Sequence, residues 1–185
     1  PHELFHRGVV RTFQIAHELA RMTVLENLMV VPPWQSGEHL LTALFRPRRV
    51  AEEERALRER AEEVLARLKL AALRFELAGN LSGGQKKLLE LGRAMMTEAK
   101  VVLLDEIGAG VNRSLLAELA GYIERLNREQ GYSFCIIEHD MDLIARLCHP
   151  VVVMAEGRVL AQGSMAEIRA NNAVIEAYLG GRRTP

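Results

Sequence analysis

The sequence predicts an α/β fold built on a parallel sheet, and three observations predict it. Short apolar runs, "VVLLD", "SFCIIE" and "VVVMA", recur along the second half of the chain. Amphipathic helical patterns, "LLAELAGYIERLN" and "MDLIARLC", separate them. Continuously apolar strands joined by helices indicate a parallel sheet covered on both faces, because each crossover lays a helix on the sheet.

Taken in order, "GVVRTFQ" is a short β-branched run that reads as a buried strand opening onto a loop, with Gln14 at its C-terminal edge. "TVLENLMVV" reads as a helix with Thr23 as N-cap and Glu26 at the capping-box position, stopped by "PPWQSG". From Arg46 to Lys69, Leu57, Ala61, Val64, Leu65 and Leu68 keep one helical face apolar. The arginines of that helix alternate with glutamates, Glu54 to Arg58 and Glu63 to Arg67 at helical spacing, which argues for a solvated face and against a nucleic-acid stripe. "NLSGGQKKLLELGRAMM" starts another helix behind Ser82, a good N-cap. After "VVVMA", the stretch "MAEGRVLAQG" reads as a hairpin turned at Glu156 and Gly157, and a C-terminal helix closes the chain. The segmentation is a core strand over residues 1–14, a mostly helical insertion over 15–98, and the remaining core over 99–185.

Composition narrows the function. With 185 residues, 49% of them hydrophobic, the chain holds enough apolar material for one domain or one large domain fragment. Lysine plus arginine and aspartate plus glutamate number 24 each, so no net field favours nucleic acid or an anionic surface. No apolar run is long enough to span a bilayer, and the start "PHELFHRGVV" has no signal-peptide core, so the chain reads as cytoplasmic. Of the two cysteines, Cys135 lies in "SFCIIE" and reads as a buried thiol, which suits a reducing compartment.

Four places can carry chemistry. Asp105 and Glu106 end the "VVLLDE" strand, at the sheet edge where ligands bind; Asp105 can hold Mg²⁺ and Glu106 can polarise a water for attack on a phosphoryl group. Acidic loop residues after an apolar strand are also common for no functional reason. His139 follows the next strand, and a lone histidine there is more often a structural residue than a catalytic one. Convergence with Gln14 at one sheet edge is the argument for function. At Ser82, the glycines Gly83 and Gly84 leave the first-turn amides uncovered, so the helix start is offered to an anion. An ordinary capped helix would need the serine but not both glycines.

The set "TFQ" with Gln14, "LSGGQ" from Leu81 to Gln85, "VVLLDE" to Glu106, "AGVN" to Asn112 and "IIEHD" with His139, in that order, resembles the nucleotide-binding subunit of ATP-binding-cassette (ABC) transporters. "RTFQ", "TVLENL", "LLELGRAMM", "IEHDMD" and "VIEAYLG" look most like the ATPase subunits of branched-chain amino-acid importers. The resemblance implies a P-loop NTPase core with a parallel sheet and a helical subdomain. It implies that Gln14 is the Q-loop glutamine, sensing Mg²⁺ and the attacking water. It places Ser82, Gly83, Gly84 and Gln85 in a signature loop that meets the γ-phosphate of ATP held by an opposite subunit, with Asn112 on the ATP-binding side in the D-loop. Asp105 corresponds to the Walker B aspartate, Glu106 to the catalytic glutamate and His139 to the switch histidine. The implied cofactors are ATP and Mg²⁺. The implied partners are a second nucleotide-binding subunit in a head-to-tail dimer and integral membrane permease subunits, which would hold the chain on the inner face of the membrane.

Two residues depart from the family pattern: Ile107 and Arg113 stand where proline is usual. No G-x-x-x-x-G-K-[ST] occurs in the 185 residues, so the resemblance implies an N-terminally truncated subunit that is inactive alone. The alternatives are the ATPase of a lipopolysaccharide-export system, which shares the "YLG" ending, a non-transport ATPase of the same superfamily, and a non-catalytic fragment.

Overall fold

The computed structural model describes residues 2–12, 18–97 and 99–179. The chain divides into two compact units, Pro1–Ile137 and Glu138–Pro185.

The first unit opens with helix α1 (His2–His6) and strand β1 (Val9–Arg11). Helix α2 (Val24–Met29) starts where expected: the Thr23 side chain accepts from the Glu26 amide and the Glu26 carboxylate accepts from the Thr23 amide. A short helix α3 (Leu40–Phe45) precedes the long α4 (Pro47–Arg67), whose first residue is the proline that a helix start tolerates best. Ala61, Val64 and Leu65 bury its inner face, and Leu68 just beyond is equally buried. On its outer face Arg49 bonds Glu53 one turn on, at 2.9 Å. Helix α5 (Gly83–Met96) packs on α2 and α4. Strand β2 (Val101–Asp105), helix α6 (Arg113–Gln130) and strand β3 (Ser133–Ile137) complete the unit.

The strands form a parallel sheet in the order β1-β2-β3, with Val9 opposite Val101 and Val101 opposite Ser133. Val102 and Leu104 point to the face shared with Lys87 and Leu91 of α5 and Leu119 and Ile123 of α6, and are buried. The opposite face corrects the expectation of a sheet covered on both sides. Its residues Val101, Leu103 and Asp105 are only half-buried, and Ser133, Cys135 and Ile137 of β3 are exposed. Cys135 is therefore not the buried thiol that its apolar run suggested: strand alternation turns it to the face that no described helix covers. Neither Cys135 nor Cys148 forms a disulfide.

The second unit holds helix α7 (Met141–Leu147), strands β4 (Val151–Ala155) and β5 (Arg158–Gly163), and helices α8 (Met165–Ala170) and α9 (Asn172–Leu179). β4 and β5 are the expected hairpin, turned by Glu156 and Gly157 at φ of 49° and 75°. They pair only with each other among the described residues, so "VVVMA" does not join the parallel sheet as its apolar character suggested. Val151, Val153, Ile168 and Val174 form this unit's own core.

Candidate nucleotide site

Asp105 is the last residue of the central strand, and its carboxylate accepts from the Arg11 guanidinium at 3.1 Å. Arg11 ends the neighbouring strand, so parallel pairing brings the two side chains to the same C-terminal edge. Thr12 seals that corner: its amide donates to the Leu103 carbonyl at 2.9 Å, and its hydroxyl accepts from the Asp105 amide at 3.4 Å. Glu106 leaves the strand with φ of 47°, in the left-handed region that a non-glycine residue seldom occupies. Its amide still donates to the Ile137 carbonyl at 2.9 Å, which holds the turn against β3. The chain then folds tightly, Ala109 amide to Glu106 carbonyl and Val111 amide to Gly108 carbonyl, and Asn112 caps α6 by accepting from the Leu115 amide at 2.9 Å.

The start of α5 is organised by a complete capping box. Ser82 Oγ accepts from the Gln85 amide at 3.3 Å and Gln85 Oε1 accepts from the Ser82 amide at 2.9 Å. These bonds occupy the amides of Ser82 and Gln85 and leave those of Gly83 and Gly84 for an anion, while the Ser82 hydroxyl keeps its hydrogen to donate. Gly83 is exposed, and a Cβ there would meet only the Gly110 carbonyl oxygen, at 3.8 Å. Gly84 differs from the sequence expectation that both glycines clear the way for a phosphate. It is buried, and a Cβ on it would collide with Leu115 Cδ2 of α6. One glycine leaves the site open; the other lets α5 approach α6.

His139 lies in the second unit and is exposed, its Nδ1 3.8 Å from Glu138. Asp140 next to it accepts from the amides of Asp142 and Leu143 and so caps α7. Gln14 lies outside the described residues. Ser82 to Gln85, Asp105, Glu106 and Asn112 all belong to the first unit, and α5 meets the Gly110–Leu115 stretch directly.

A family model described as ABC transporter matches residues 1–109. The chain belongs to the ABC transporter family. A second family model, for a branched-chain amino acid ATP-binding cassette transporter, matches residues 158–184. The chain is 42% identical over 182 residues to the probable branched-chain amino acid transport ATP-binding protein LivG of Archaeoglobus fulgidus, covering 98% of this chain and 69% of that protein. It is 36% identical over 179 residues to the high-affinity branched-chain amino acid transport ATP-binding protein BraF of Pseudomonas aeruginosa, with 97% and 70% covered. A crystal structure of an ABC-transporter ATP-binding cassette in its ADP conformation matches with a TM-score of 0.75 and 38% identity, over 97% of this chain and 71% of that one. A nucleotide-free cassette gives 0.75 and 37% over 96% and 71%. The fold is that of an ABC ATPase.

The two departures from the ABC pattern follow Asp105 and Glu106 along the chain. Ile107 is 6% exposed and lines an apolar pocket with Leu104, Leu119 and Ile123. Arg113 is the first residue of α6, behind an intact Asn112 cap. Several residues escaped the sequence reading. Arg11 opens the "RTFQ" motif but was given no role of its own there. Lys87, 7% exposed with its ammonium 3.9 Å from Glu90, looked like one more helix cation. Glu18 pairs with Lys86 of α5 at 2.7 Å. Asn27 is fully buried: its Oδ1 accepts from the Leu19 amide, and its Nδ2 donates to the carbonyls of Leu19, Met22 and Thr23. A polar residue on the inward side of "TVLENL" was the available signal for it.

Proposed function

We propose that this chain is the ATP-binding and ATP-hydrolysing subunit of an ABC importer, acting on membrane permease subunits and pairing head to tail with a second nucleotide-binding subunit. Branched-chain amino acids are the proposed cargo class, since that is what the named relatives transport. The carrying observation is the carboxylate pair Asp105–Glu106 at the C-terminal edge of a parallel sheet, in a unit whose capped α5 start leaves the Gly83 and Gly84 amides for an anion.

The residues fit ATP and Mg²⁺. Among the described residues no three His, Cys, Asp or Glu side chains converge as a metal cage. That suits an ion held by one or two carboxylates, waters and phosphate oxygens. Asp105, with Gln14, would hold the ion, and bound Mg²⁺ would neutralise charge that develops on the phosphoryl oxygens. Glu106 orients and polarises the water. His139 would hydrogen-bond at the γ-phosphate. Ser82, Gly83, Gly84 and Gln85 offer their helix start to the nucleotide held mainly by the partner subunit, and Asn112 holds the loop beside them.

No helix among the described residues is long and apolar enough to cross a membrane, which suits a peripheral subunit carried by permeases. The test joins these 185 residues to a phosphate-binding loop, reconstitutes the product with permease and binding protein in vesicles, and measures ATP-dependent uptake of labelled leucine. ATP turnover without any cargo uptake would overturn the importer reading; absence of turnover would overturn the ATPase reading.

A further inference from the structure

Helix α3 is built inside out. Its polar residue, Thr42, is half-buried, whereas Leu40, Leu41, Leu44 and Phe45 are 81, 70, 67 and 73% exposed. A surface helix in water turns its apolar side chains inward, so a contiguous outward set marks a surface that something else covers. Just upstream, Trp34, the single tryptophan of the sequence, is 78% exposed, with its ring 4.9 Å from that of His6. Just downstream, Arg46, Arg48 and Arg49 are all exposed.

The charge around this patch points to its occupant. From His39 to Arg49 the sequence "HLLTALFRPRR" contains no carboxylate. Glu38 precedes it, and Glu52, Glu53 and Glu54 follow on α4. Glu53 is taken up by Ser36 at 2.7 Å and by Arg49 at 2.9 Å. Arg46 and Arg48 therefore flank the leucines as cations outside that ion pair. Exposed leucines and phenylalanine with a tryptophan at one end and arginines at the other match the boundary of an anionic bilayer, where apolar side chains enter the acyl region and guanidinium groups meet phosphates.

We propose that Trp34, α3 and the following arginines form an interfacial anchor that binds anionic lipid directly. A helix of six residues is about 9 Å long, enough to sit within the headgroup boundary and far too short to span. The anchor goes beyond the subunit role proposed above. It needs neither nucleotide nor permease, so its failure would leave the ATPase reading standing, and the reverse is also true.

The experiment mixes the 185-residue chain with protein-free vesicles of phosphatidylcholine, alone or with phosphatidylglycerol, and reads co-sedimentation and Trp34 emission. Binding is expected to the mixed vesicles, weaker with phosphatidylcholine alone and weaker in high salt, with Trp34 emission shifted to shorter wavelength and quenched by brominated acyl chains. Leu41→Glu with Phe45→Glu should weaken binding at least about tenfold, since two large side chains leave the acyl boundary. Arg46→Gln with Arg48→Gln should weaken it by about 25-fold, at roughly fivefold per cation. Circular dichroism and melting of both variants should match wild type, because the altered side chains face solvent. Absence of binding, binding indifferent to phosphatidylglycerol, or binding that survives Leu41→Glu with Phe45→Glu would overturn the proposal. So would a self-associated species, seen by sedimentation velocity without lipid, that these two changes dissolve while vesicle binding stays absent; the patch would then be covered by a second copy.

Discussion

Gly84 of α5 lies so close against Leu115 of α6 that no side chain fits between them. The two helices are the ones capped by Ser82 and Asn112, so this contact sets the distance between the start of α5 and the loop that follows Asp105 and Glu106.

Gly84→Ala should therefore destabilise the chain by about 1–3 kcal/mol, the usual range for overpacking. The obstructing atom is the end of a flexible side chain, so Leu115→Ala in the same chain should restore part of the loss. Thermal melts of wild type, both single variants and the double variant measure the coupling. Strict additivity would mean that Gly84 is not held by this contact.

Asn27→Ala should cost about 1–3 kcal/mol, because the Leu19 amide and the carbonyls it serves lose a buried partner. Amide exchange should rise first at Leu19 to Thr23, the stretch that Asn27 ties to α2. Unchanged exchange there would assign the stability loss to packing instead.

Glu106→Gln, placed in a polypeptide that joins these residues to a phosphate-binding loop, should lower ATP turnover by about 10²–10⁴ while ATP binding persists, since the water loses its base and the phosphate contacts remain. The 185 residues alone should release no phosphate, because they contain no amide cradle or lysine of that kind. Turnover by the short chain that disappears with Glu106→Gln would contradict the second expectation.

His139→Ala should leave the melting temperature close to wild type, as the side chain is 76% exposed, and should lower turnover in the loop-bearing polypeptide. A large drop in melting temperature with normal turnover would assign His139 a structural role.

Acid should weaken the fold through three capping and bridging carboxylates. Hydrogen bonds from the Thr23 backbone and side chain hold Glu26 below its ordinary value of 4.5. The Ser36 hydroxyl, then Arg49, do the same for Glu53, and the Ser164 backbone and side chain for Glu167. A depressed folded pKa means stability that is fully present above the ordinary value and is lost as pH falls through the folded one. Melting temperature should thus decline below about pH 4.5, and a variant with glutamine at all three positions should decline less steeply. Identical acid limbs would show that other groups govern acid unfolding.

The sequence by itself determined what depends on near neighbours along the chain. The capping boxes at Thr23 and Ser82 span three residues, the Glu156–Gly157 turn follows from local backbone preference, and the amphipathic α4 from its helical period. The order of "LSGGQ", "VVLLDE" and "IEHD" carried the family in the same way. Tertiary structure decided what depends on residues far apart in sequence. Arg11 meets Asp105 across 94 positions because two strands run parallel. Gly84 faces Leu115 rather than open space because α6 packs there. Cys135, apolar by company, is exposed because strand alternation turns it to the face of β3 that no described helix of its unit covers. Apolar runs report burial on average, whereas which face of a strand is covered depends on the elements packed against it.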